Sequence, residues 1–271
     1  MQNNLFSVKN KTIILTGGSG ILGSCMAKHL AREEASVVIL DQNETSGKAL
    51  EKEICHDGGK ALFLKTDVLD KQTLEENAKA ILSVFGSIDV LINLAGGNMT
   101  GATIPPDKTF FDLDIHAFRK VVDLNLFGTV IPTMVFAKVM VEQKKGSIIN
   151  ISSESALRPL TRVVGYGTAK AAINNFTQSM AGELAIKFGE GLRVNAIAPG
   201  FFLTDQNRAL MSNPDGTPTD RCKAVIAHTP FRRLGQPEEL LGIIQWLASD
   251  ASAFVTGTVI PIDGGFDAFS I

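Results

Sequence analysis

The chain has 271 residues, of which 45% are hydrophobic and 20% charged, and its formal net charge is −2 at pH 7. This balance is typical of a globular protein and excludes a disordered chain, and without a basic run it argues against a nucleic-acid or anionic-membrane partner. The sequence suggests no apolar stretch near the roughly 20 residues of a membrane span and no secretory signal, so we expect a cytoplasmic protein.

Cysteine and histidine do not form metal-binding patterns in this sequence. Cys25, Cys55 and Cys222 are widely separated and fit neither a disulfide framework nor a zinc site, so we expect free thiols. His116 and His228 show no ligand spacing and are expected to be structural. No metal site is predicted.

Short β-branched runs alternate along the chain with longer segments of helical period. Seven strands are predicted in chain order, at 12–15, 37–40, 61–64, 90–92, 147–151, 192–197 and 259–262. Helices are predicted near 21–33, 44–56, 71–85, 115–143, 165–188 and 237–248, and Gly128 and Pro132 are expected to kink the fourth of these.

The strands are nearly continuous apolar runs, as strands buried on both faces require. Repeated βα units then predict an α/β fold, a single doubly wound Rossmann-type domain over 1–271 with a seven-stranded parallel sheet and helices on both faces. Two long connections, 95–114 and 198–236, are expected to carry function, the second as a substrate loop.

A glycine-rich segment separates the first predicted strand from the first helix. Gly17, Gly20 and Gly23 would allow a tight turn, close approach to a pyrophosphate and close helix–strand packing, and the N–H groups of the helix start would bind the phosphates. The alternative is a glycine-rich turn without a ligand. The preceding strand, the following helix and the acid that comes next favour a dinucleotide.

Asp41 stands at the end of the second predicted strand. A carboxylate at this position accepts hydrogen bonds from both hydroxyls of an adenosine ribose and repels a 2′-phosphate. No arginine follows directly in 41–44, so the sequence predicts NAD(H) rather than NADP(H). A helix cap or a solvated turn residue is the alternative role for Asp41.

Tyr166 and Lys170 lie four residues apart in a predicted helix, and this spacing places them on one face. A buried ammonium beside a phenol favours the phenolate, so we expect Lys170 to lower the pKa of Tyr166 and make it a general acid/base for alcohol–carbonyl chemistry. The spacing alone also occurs on many solvated helices, so its interpretation depends on other segments.

Those segments resemble the short-chain dehydrogenase/reductase family over about residues 10 to 265. The loop from Thr16-Gly17 to Gly23 resembles the family's T-G-x-x-x-G-x-G, with Ile21 where a glycine is usual and Gly20 taking over part of its role. Further matches are Asp67-Val68, Asn93-Leu94-Ala95-Gly96, Asn125, Ser153 thirteen residues before Tyr166, Pro199-Gly200 followed by Thr204, and Asp263-Gly264-Gly265.

The resemblance implies a catalytic set of Asn125, Ser153, Tyr166 and Lys170. Tyr166 would donate its proton to a substrate carbonyl, Ser153 would stabilise the same oxygen, Lys170 would also bind the nicotinamide ribose, and Asn125 would support a water relay. The implied cofactor-binding residues are Gly17, Ser19, Gly20, Ile21, Leu22, Gly23, Asp41, Asp67, Val68, Asn93, Ala95, Gly96, Tyr166, Lys170, Pro199, Gly200 and Thr204. The family also implies a homotetramer, formed through the helices near 115–143 and 165–188.

A finer resemblance, to the D-mannonate oxidoreductase (fructuronate reductase) branch near gluconate 5-dehydrogenases, is carried by 95–98, 199–208, 255–257 and 264–269. It implies a small-molecule sugar-acid substrate. Candidate substrate residues are Asn98, Glu154, Arg158, Gln206, Asn207 and Arg208. Arg158 or Arg208 would bind the carboxylate, and the alternative is that these arginines are ordinary surface residues.

Other functions remain open at this stage. A 3-oxoacyl reductase, a steroid-type dehydrogenase or a polyol dehydrogenase would keep the family and change the substrate. The expected polar rim argues against the first two, which need an apolar trough. A dinucleotide-binding sensor without catalysis would predict a broken Ser–Tyr–Lys set, and here that set is intact.

Overall fold

A computed structural model describes residues 4–204 and 208–269 and contains a seven-stranded, all-parallel sheet. The strands are β1 Thr12–Thr16, β2 Ser36–Asp41, β3 Lys60–Lys65, β4 Val90–Asn93, β5 Gly146–Ile151, β6 Leu192–Pro199 and β7 Val259–Ile262. Their order across the sheet is β3-β2-β1-β4-β5-β6-β7. The predicted fold class is confirmed, and each of the seven strands covers its predicted position.

The helices pack on both faces of this sheet. They are α1 Ile21–Arg32, α2 Glu44–His56, α3 Lys71–Phe85, α4 Ile115–Val122, α5 Gly128–Gln143, α6 Val164–Phe188, α7 Arg208–Met211, α8 Asp220–His228 and α9 Leu241–Ala248. Both α7 and α8 lie in the connection that was predicted as a long loop. The sequence does contain a start signal for α8, because the Thr219 hydroxyl caps it by accepting a hydrogen bond from the N–H of Cys222 (3.2 Å).

Two apolar cores, one on each face, explain why the strands are apolar throughout. Ile13 and Leu15 of β1 pack in the core that contains residues of α1, α2 and α9. Ile14, between them, packs in the other core, with residues of α3, α5 and α6. Successive side chains of a strand point to opposite faces, so a sheet covered on both sides needs apolar residues at every position.

The predicted fourth helix is interrupted earlier than expected. A π-helical turn, Asp123–Phe127, separates α4 from α5 and ends where Gly128 begins α5, whereas Pro132 lies inside α5. The side-chain amide of Asn125 donates to the carbonyl of Val121 (2.7 Å), a local hydrogen bond that competes with regular helical pairing. The irregularity therefore lies directly before Gly128, and Asn125 stands about two helical turns before the proline.

Within the described ranges, the helical segment Ile115–Gln143 is long and apolar enough to cross a membrane by length and composition alone. This corrects the expectation that apolar stretches in this sequence are only strand-length. Half of its most apolar window is buried inside the domain. Core helices of globular domains pass the same test.

Candidate active site

The sheet order reverses at β1 and β4, and a cavity of about 430 Å³ opens beyond the carboxyl ends of these strands. This is the point at which open α/β sheets bind ligands. The lining residues are Gly17, Gly20, Ile21, Leu22, Gly23, Leu40, Asp41, Gln42, Thr66, Val68, Leu94, Ala95, Gly96, Gly97, Leu124, Ile151, Tyr166, Lys170 and Thr204.

The glycine-rich loop forms one wall of this cavity and leaves the start of α1 open. Gly20 precedes the first helical residue, and no side chain in the described chain caps α1. Gly17 has a φ of +62°, and a Cβ there would stand 2.9 Å from the Cα of Ala95; a Cβ on Gly23 would stand 2.7 Å from the carbonyl oxygen of Gly17. Backbone N–H groups at such a helix start bind phosphate.

Asp41 both shapes the loop and lines the cavity. Its Oδ2 accepts from the backbone N–H of Ser19 (3.0 Å), and its Oδ1 accepts from that of Asn43 (3.0 Å). A carboxylate thus stands at the end of β2, where the ribose of an adenine dinucleotide binds in this type of fold. With the tight turn at Gly17 and the uncapped helix, these residues fit a nicotinamide dinucleotide, which would supply or accept hydride.

Tyr166 lies between this cavity and a second one, where a substrate and a bound dinucleotide could meet. It lines both cavities, and the Ser153 hydroxyl lies near enough to form a hydrogen bond with its phenol. The Lys170 Nζ lies 5.5 Å from the centroid of the Tyr166 ring and donates to the carbonyl of Ile151 (2.7 Å). The set can transfer a proton to or from a substrate oxygen.

The second cavity has a volume of about 200 Å³ and lies in front of Ser153 and Tyr166. Its lining combines polar residues with apolar residues of β5, the loop after β6, and α7. The lining residues are Leu22, Asn98, Ile151, Ser152, Ser153, Glu154, Ser155, Leu160, Val163, Tyr166, Pro199, Gly200, Phe201, Phe202, Thr204, Leu210, Met211 and Arg221. The expectation of a predominantly polar rim is therefore wrong for the described residues.

Comparison with known proteins agrees with this geometry. Residues 18–267 match the family model described as enoyl-(acyl carrier protein) reductase. The chain is 46% identical to the uncharacterized oxidoreductase UxuB of Bacillus subtilis (strain 168), over 97% of each sequence. The chain belongs to the short-chain dehydrogenase/reductase family. It is accordingly an NAD(P)-dependent oxidoreductase.

Two solved structures of family members are close to this one. A provisionally named D-mannonate oxidoreductase from Haemophilus influenza, with bound NAD, superimposes with a TM-score of 0.91 at 44% identity, covering 97% of each chain. A gluconate 5-dehydrogenase from Burkholderia cenocepacia J2315, in complex with NADP and tartrate, superimposes with a TM-score of 0.88 at 28% identity, covering 98% of this chain and 99% of that one.

The first cavity, with the glycine-rich loop as one wall, is called the dinucleotide cavity from here on. Most of the predicted cofactor residues line it, and five do not. The Ser19 hydroxyl instead accepts from that of Ser46 (2.8 Å), and Asp67 is exposed with its Oδ1 on the N–H of Leu69. The Asn93 amide donates to Thr133 and Asn150 and joins β4 to its neighbours. Pro199 and Gly200 line the second cavity.

Seven described residues that line the dinucleotide cavity were not among the predicted cofactor residues, and five of these lie at strand ends. Leu40 is the penultimate residue of β2 and Ile151 the last residue of β5. Gln42, Thr66 and Leu94 directly follow β2, β3 and β4. The signal was available, because ligands in this fold bind outside the carboxyl ends of strands. Arg221, in the second cavity, was also missed. Its position depends on how the connection after β6 folds.

The electrostatics of the catalytic pair differ from the sequence-based prediction. Burial raises the pKa of Tyr166, and the hydrogen bond with Ser153 opposes this. Burial also lowers the pKa of Lys170 to about 7. The prediction that Lys170 lowers the Tyr166 pKa is wrong for this arrangement, because the ammonium faces the ring and the Ile151 carbonyl, and its own charge is poorly solvated.

Asn125 is fully buried in the π-helical turn and holds the turn that follows β4. Its Oδ1 accepts from the N–H of Gly97 (3.1 Å), and its Nδ2 donates to the carbonyls of Gly97 and Val121 (both 2.7 Å). These bonds position the wall of the dinucleotide cavity beside Lys170. A role of Asn125 in a water relay stays a prediction.

The predicted substrate residues are dispersed in the structure. Asn98 lines the second cavity, but its amide donates to Thr103 (3.0 Å). The guanidinium of Arg158 pairs with Asp267 in the C-terminal turn (2.7 Å), and Arg208 is exposed on α7. Neither arginine is among the lining residues. Gln206 and Asn207 lie outside the described residues.

Glu154 is the predicted substrate residue with the most unusual environment. It lines the second cavity and is 1% exposed, and neither carboxylate oxygen has a hydrogen-bond partner among the described residues. Burial, reinforced by the charges of Asp263 and Asp267 and opposed by Arg158, raises its pKa to about 7. A carboxyl group in this state can donate a hydrogen bond when protonated and accept when ionised.

Proposed function

We propose that this protein is an NAD(H)-preferring oxidoreductase that interconverts a secondary alcohol and a ketone of a sugar acid, with D-mannonate and D-fructuronate as the substrate pair. The observation that carries the chemistry is the position of Tyr166, which faces both cavities with Ser153 and Lys170 beside it. The substrate class is supported by the likeness to the Haemophilus protein and by the tartrate in the Burkholderia one.

In the reductive direction, a bound nicotinamide dinucleotide supplies the hydride. Tyr166 donates its phenolic proton to the carbonyl oxygen as negative charge develops there. The Ser153 hydroxyl donates a hydrogen bond to the same oxygen and stabilises that charge. Lys170, whose Nζ lies 5.5 Å from the centroid of the phenol ring, lines the dinucleotide cavity and would bind the nicotinamide ribose.

The preference for NAD(H) rests on Asp41. Its carboxylate lines the cavity at the end of β2, where it would accept from ribose hydroxyls and repel a 2′-phosphate. The bound NAD of the Haemophilus structure supports this preference, and the NADP of the Burkholderia structure shows that the family accommodates both.

A second candidate function is reduction of a 3-oxoacyl or steroid ketone. It is favoured by the apolar part of the second cavity, which includes Leu160, Phe201, Phe202, Leu210 and Met211. An apolar substrate would gain binding energy from these side chains. It would leave the charged groups of the same cavity without partners.

The deciding experiment is a panel of D-fructuronate, other keto-sugar acids, D-fructose, a 3-oxoacyl thioester and a 3-ketosteroid with NADH and NADPH, and of aldonates and D-mannitol with NAD. Turnover is followed at the nicotinamide absorbance. We expect the highest kcat/KM for D-fructuronate with NADH and, in reverse, for D-mannonate with NAD. Preference for a neutral polyol, a thioester or a steroid would reject the proposal.

A further inference from the structure

Arg221 occupies a part of the second cavity that the proposed chemistry has not used. It is the second residue of α8, whose N-terminus is fixed by the Thr219 cap. Its guanidinium reaches the segment before α6, where Nη1 donates to the hydroxyl of Thr161 (3.0 Å) and Nη2 to the Thr161 carbonyl (3.2 Å). These two bonds hold the guanidinium at the cavity wall, on the side formed by α8.

Arg221 is the only arginine or lysine among the described residues that line this cavity. Lys170, the other cation of the site, lines the dinucleotide cavity instead. A substrate held in front of Ser153 and Tyr166 therefore contacts one described side-chain cation in the second cavity, on the side away from the dinucleotide. That cation comes from the connection between β6 and β7, which the fold leaves free to vary.

The charge of Arg221 is not balanced by the described part of the protein. No described carboxylate forms an ion pair with it, whereas Arg158 pairs with Asp267 and Arg233 with Glu239. Burial lowers the pKa of Arg221, and the neighbouring cation Arg162 lowers it further. A partly buried guanidinium beside a second cation, without a carboxylate, is unfavourable in isolation and favours an anionic ligand.

The hydrogen-bonding capacity of Arg221 fits a carboxylate. A guanidinium has five N–H donors in a planar fork, and Thr161 takes one from Nη1 and one from Nη2. Three N–H groups, including Nε–H, have no other partner among the described residues. Two of them can bind the two oxygens of a carboxylate together, the geometry in which arginine binds carboxylates most strongly.

We propose that Arg221, with Arg162 as a neighbouring cation, binds the substrate carboxylate and makes the enzyme select an anionic over a neutral substrate. This inference rests on the proposed function. It assigns the carboxylate to Arg221 in place of the predicted Arg158 or Arg208, since the guanidinium of Arg158 is engaged by the C-terminal turn and neither arginine lines the cavity. Arg221 is a specificity-determining residue, because it acts on the end of the substrate that does not react.

Arg221 also has a structural role that the test must separate from recognition. Its bonds to Thr161 join α8 to the segment before α6, so their loss could loosen one wall of the cavity. A purely structural role would affect neutral and anionic substrates alike. Recognition of a carboxylate would affect only the anionic one.

The test compares Arg221→Gln and Arg221→Lys with wild type, using D-fructuronate and its neutral analogue D-fructose as substrates. Lys223→Gln is the matched control, because Lys223 is an exposed cation on the same helix that pairs with Asp220 and does not line the cavity. Thermal melting and NADH affinity of each variant establish that the fold and the dinucleotide cavity are intact.

For Arg221→Gln we expect the KM for D-fructuronate to rise roughly ten- to a hundredfold with kcat changed only a few-fold, as loss of a bidentate pair implies. The kcat/KM for D-fructose should fall far less than that for D-fructuronate. Arg221→Lys should be intermediate, because it keeps the charge without the fork, and Lys223→Gln should resemble wild type. Equal losses for both substrates, or no loss for D-fructuronate, would overturn the proposal.

A binding measurement separates this inference from the proposed function. D-Mannonate is titrated calorimetrically into the enzyme–NADH complex. No turnover occurs there, because D-mannonate and NADH are both in the reduced state. If wild type fails to prefer D-fructuronate over D-fructose, the proposed function is rejected, and the calorimetry alone decides the role of Arg221. Weaker D-mannonate binding by Arg221→Gln than by Lys223→Gln then supports anion recognition, and equal binding rejects it.

Discussion

Burial governs the charged side chains around the reaction centre. Lys170 is 3% exposed and Glu154 is 1% exposed, and in each the burial shifts the pKa towards 7, downward for the ammonium and upward for the carboxyl. Tyr166 shifts upward for the same reason. Each shift favours the neutral form, so Lys170 and Glu154 are each only partly charged near neutral pH.

Tyr166→Phe removes the proton donor and leaves the ring that packs beside Lys170. We expect kcat to fall by about 10²–10⁴-fold, the usual contribution of a positioned general acid, while the Kd for NADH changes little. Steady-state kinetics and NADH fluorescence titration measure the two quantities. Lys170→Ala should lower kcat and also weaken NADH binding. A Tyr166→Phe variant that keeps most of its turnover would show that the proton comes from another group.

The raised pKa of Glu154 predicts that the free energy of unfolding depends on pH. Its pKa of about 7 lies above the ordinary value of 4.5, so between these values the folded protein holds a proton that the unfolded chain has lost. Stability therefore falls as pH rises through this window and levels off above it. Asp263 and Asp267 on the C-terminal turn contribute to the shift, and Arg158 opposes it.

Glu154→Gln removes this titration and keeps the size of the side chain. We expect urea unfolding to show little difference from wild type near pH 4.5 and a gain on the order of 2–3 kcal/mol for the variant at pH 8. Exposed Glu190 provides the control, since Glu190→Gln should not change the slope with pH. Parallel pH profiles for Glu154→Gln and wild type would contradict the assignment.

At the scale of elements, the loop between β1 and α1 and the end of β2 act together. Asp41 accepts from the N–H of Ser19, so the carboxylate that would contact ribose also fixes the loop that would contact phosphate. A substitution at position 41 can therefore act through charge or through loop geometry. Asp41→Asn removes the charge and disturbs the loop less than Asp41→Ala, because its single amide oxygen can still accept from the N–H of Ser19, whereas the bond from Asn43 is lost.

We expect wild type to prefer NADH to NADPH clearly in kcat/KM. Asp41→Asn and Asp41→Ala should both narrow the gap, since the repulsion of a 2′-phosphate is lost. Adding Gln42→Arg to Asp41→Ala should narrow it further by supplying a cation. The measurement is the ratio of kcat/KM for the two dinucleotides. Wild-type turnover of NADPH as fast as NADH would reject the role of Asp41.

The elements differ in how far local sequence determines them. The start of α3 was predictable from Asp70, whose carboxylate accepts from the N–H groups of Gln72 and Thr73. The π-helical turn was not, because its Asn125 side chain bonds to Gly97 in a different segment as well as to Val121 nearby. In the same way, the position of Arg221 depends on the contact of α8 with Thr161, and only the folded chain brings these together.

For the whole molecule, the sheet order follows from rules that act on the sequence pattern. Continuous apolar strands alternating with helices leave few arrangements other than a doubly wound parallel sheet with right-handed crossovers. The ligand cavity then follows from the position of the strand reversal, between β1 and β4. The composition of the second cavity could not be predicted in this way. Many of its apolar side chains and its one described cation come from the connection between β6 and β7, and the periodicity of the sequence does not specify the path of that connection.

Two long helices, α5 and α6, offer apolar surface through which copies of the chain can associate. Helices α5 and α6 are apolar around much of their circumference, and Met134 on α5 and Ile186 on α6 are 59% and 86% exposed in the single chain. A helix that is apolar on most faces is normally buried on most faces. We propose that these two helices pair with those of further copies to form a homotetramer or, failing that, a dimer.

Met134→Glu tests this assembly, and Val84→Glu on α3 is its matched control, because both wild-type side chains are 59% exposed. Light scattering at micromolar concentration should give wild type a mass that is a multiple of 29.0 kDa. Met134→Glu should lower that mass, since it introduces a charge into an apolar interface, whereas Val84→Glu should not. A wild-type mass of 29.0 kDa, or equal effects of the two substitutions, would show that the exposed apolar face of α5 does not mediate assembly.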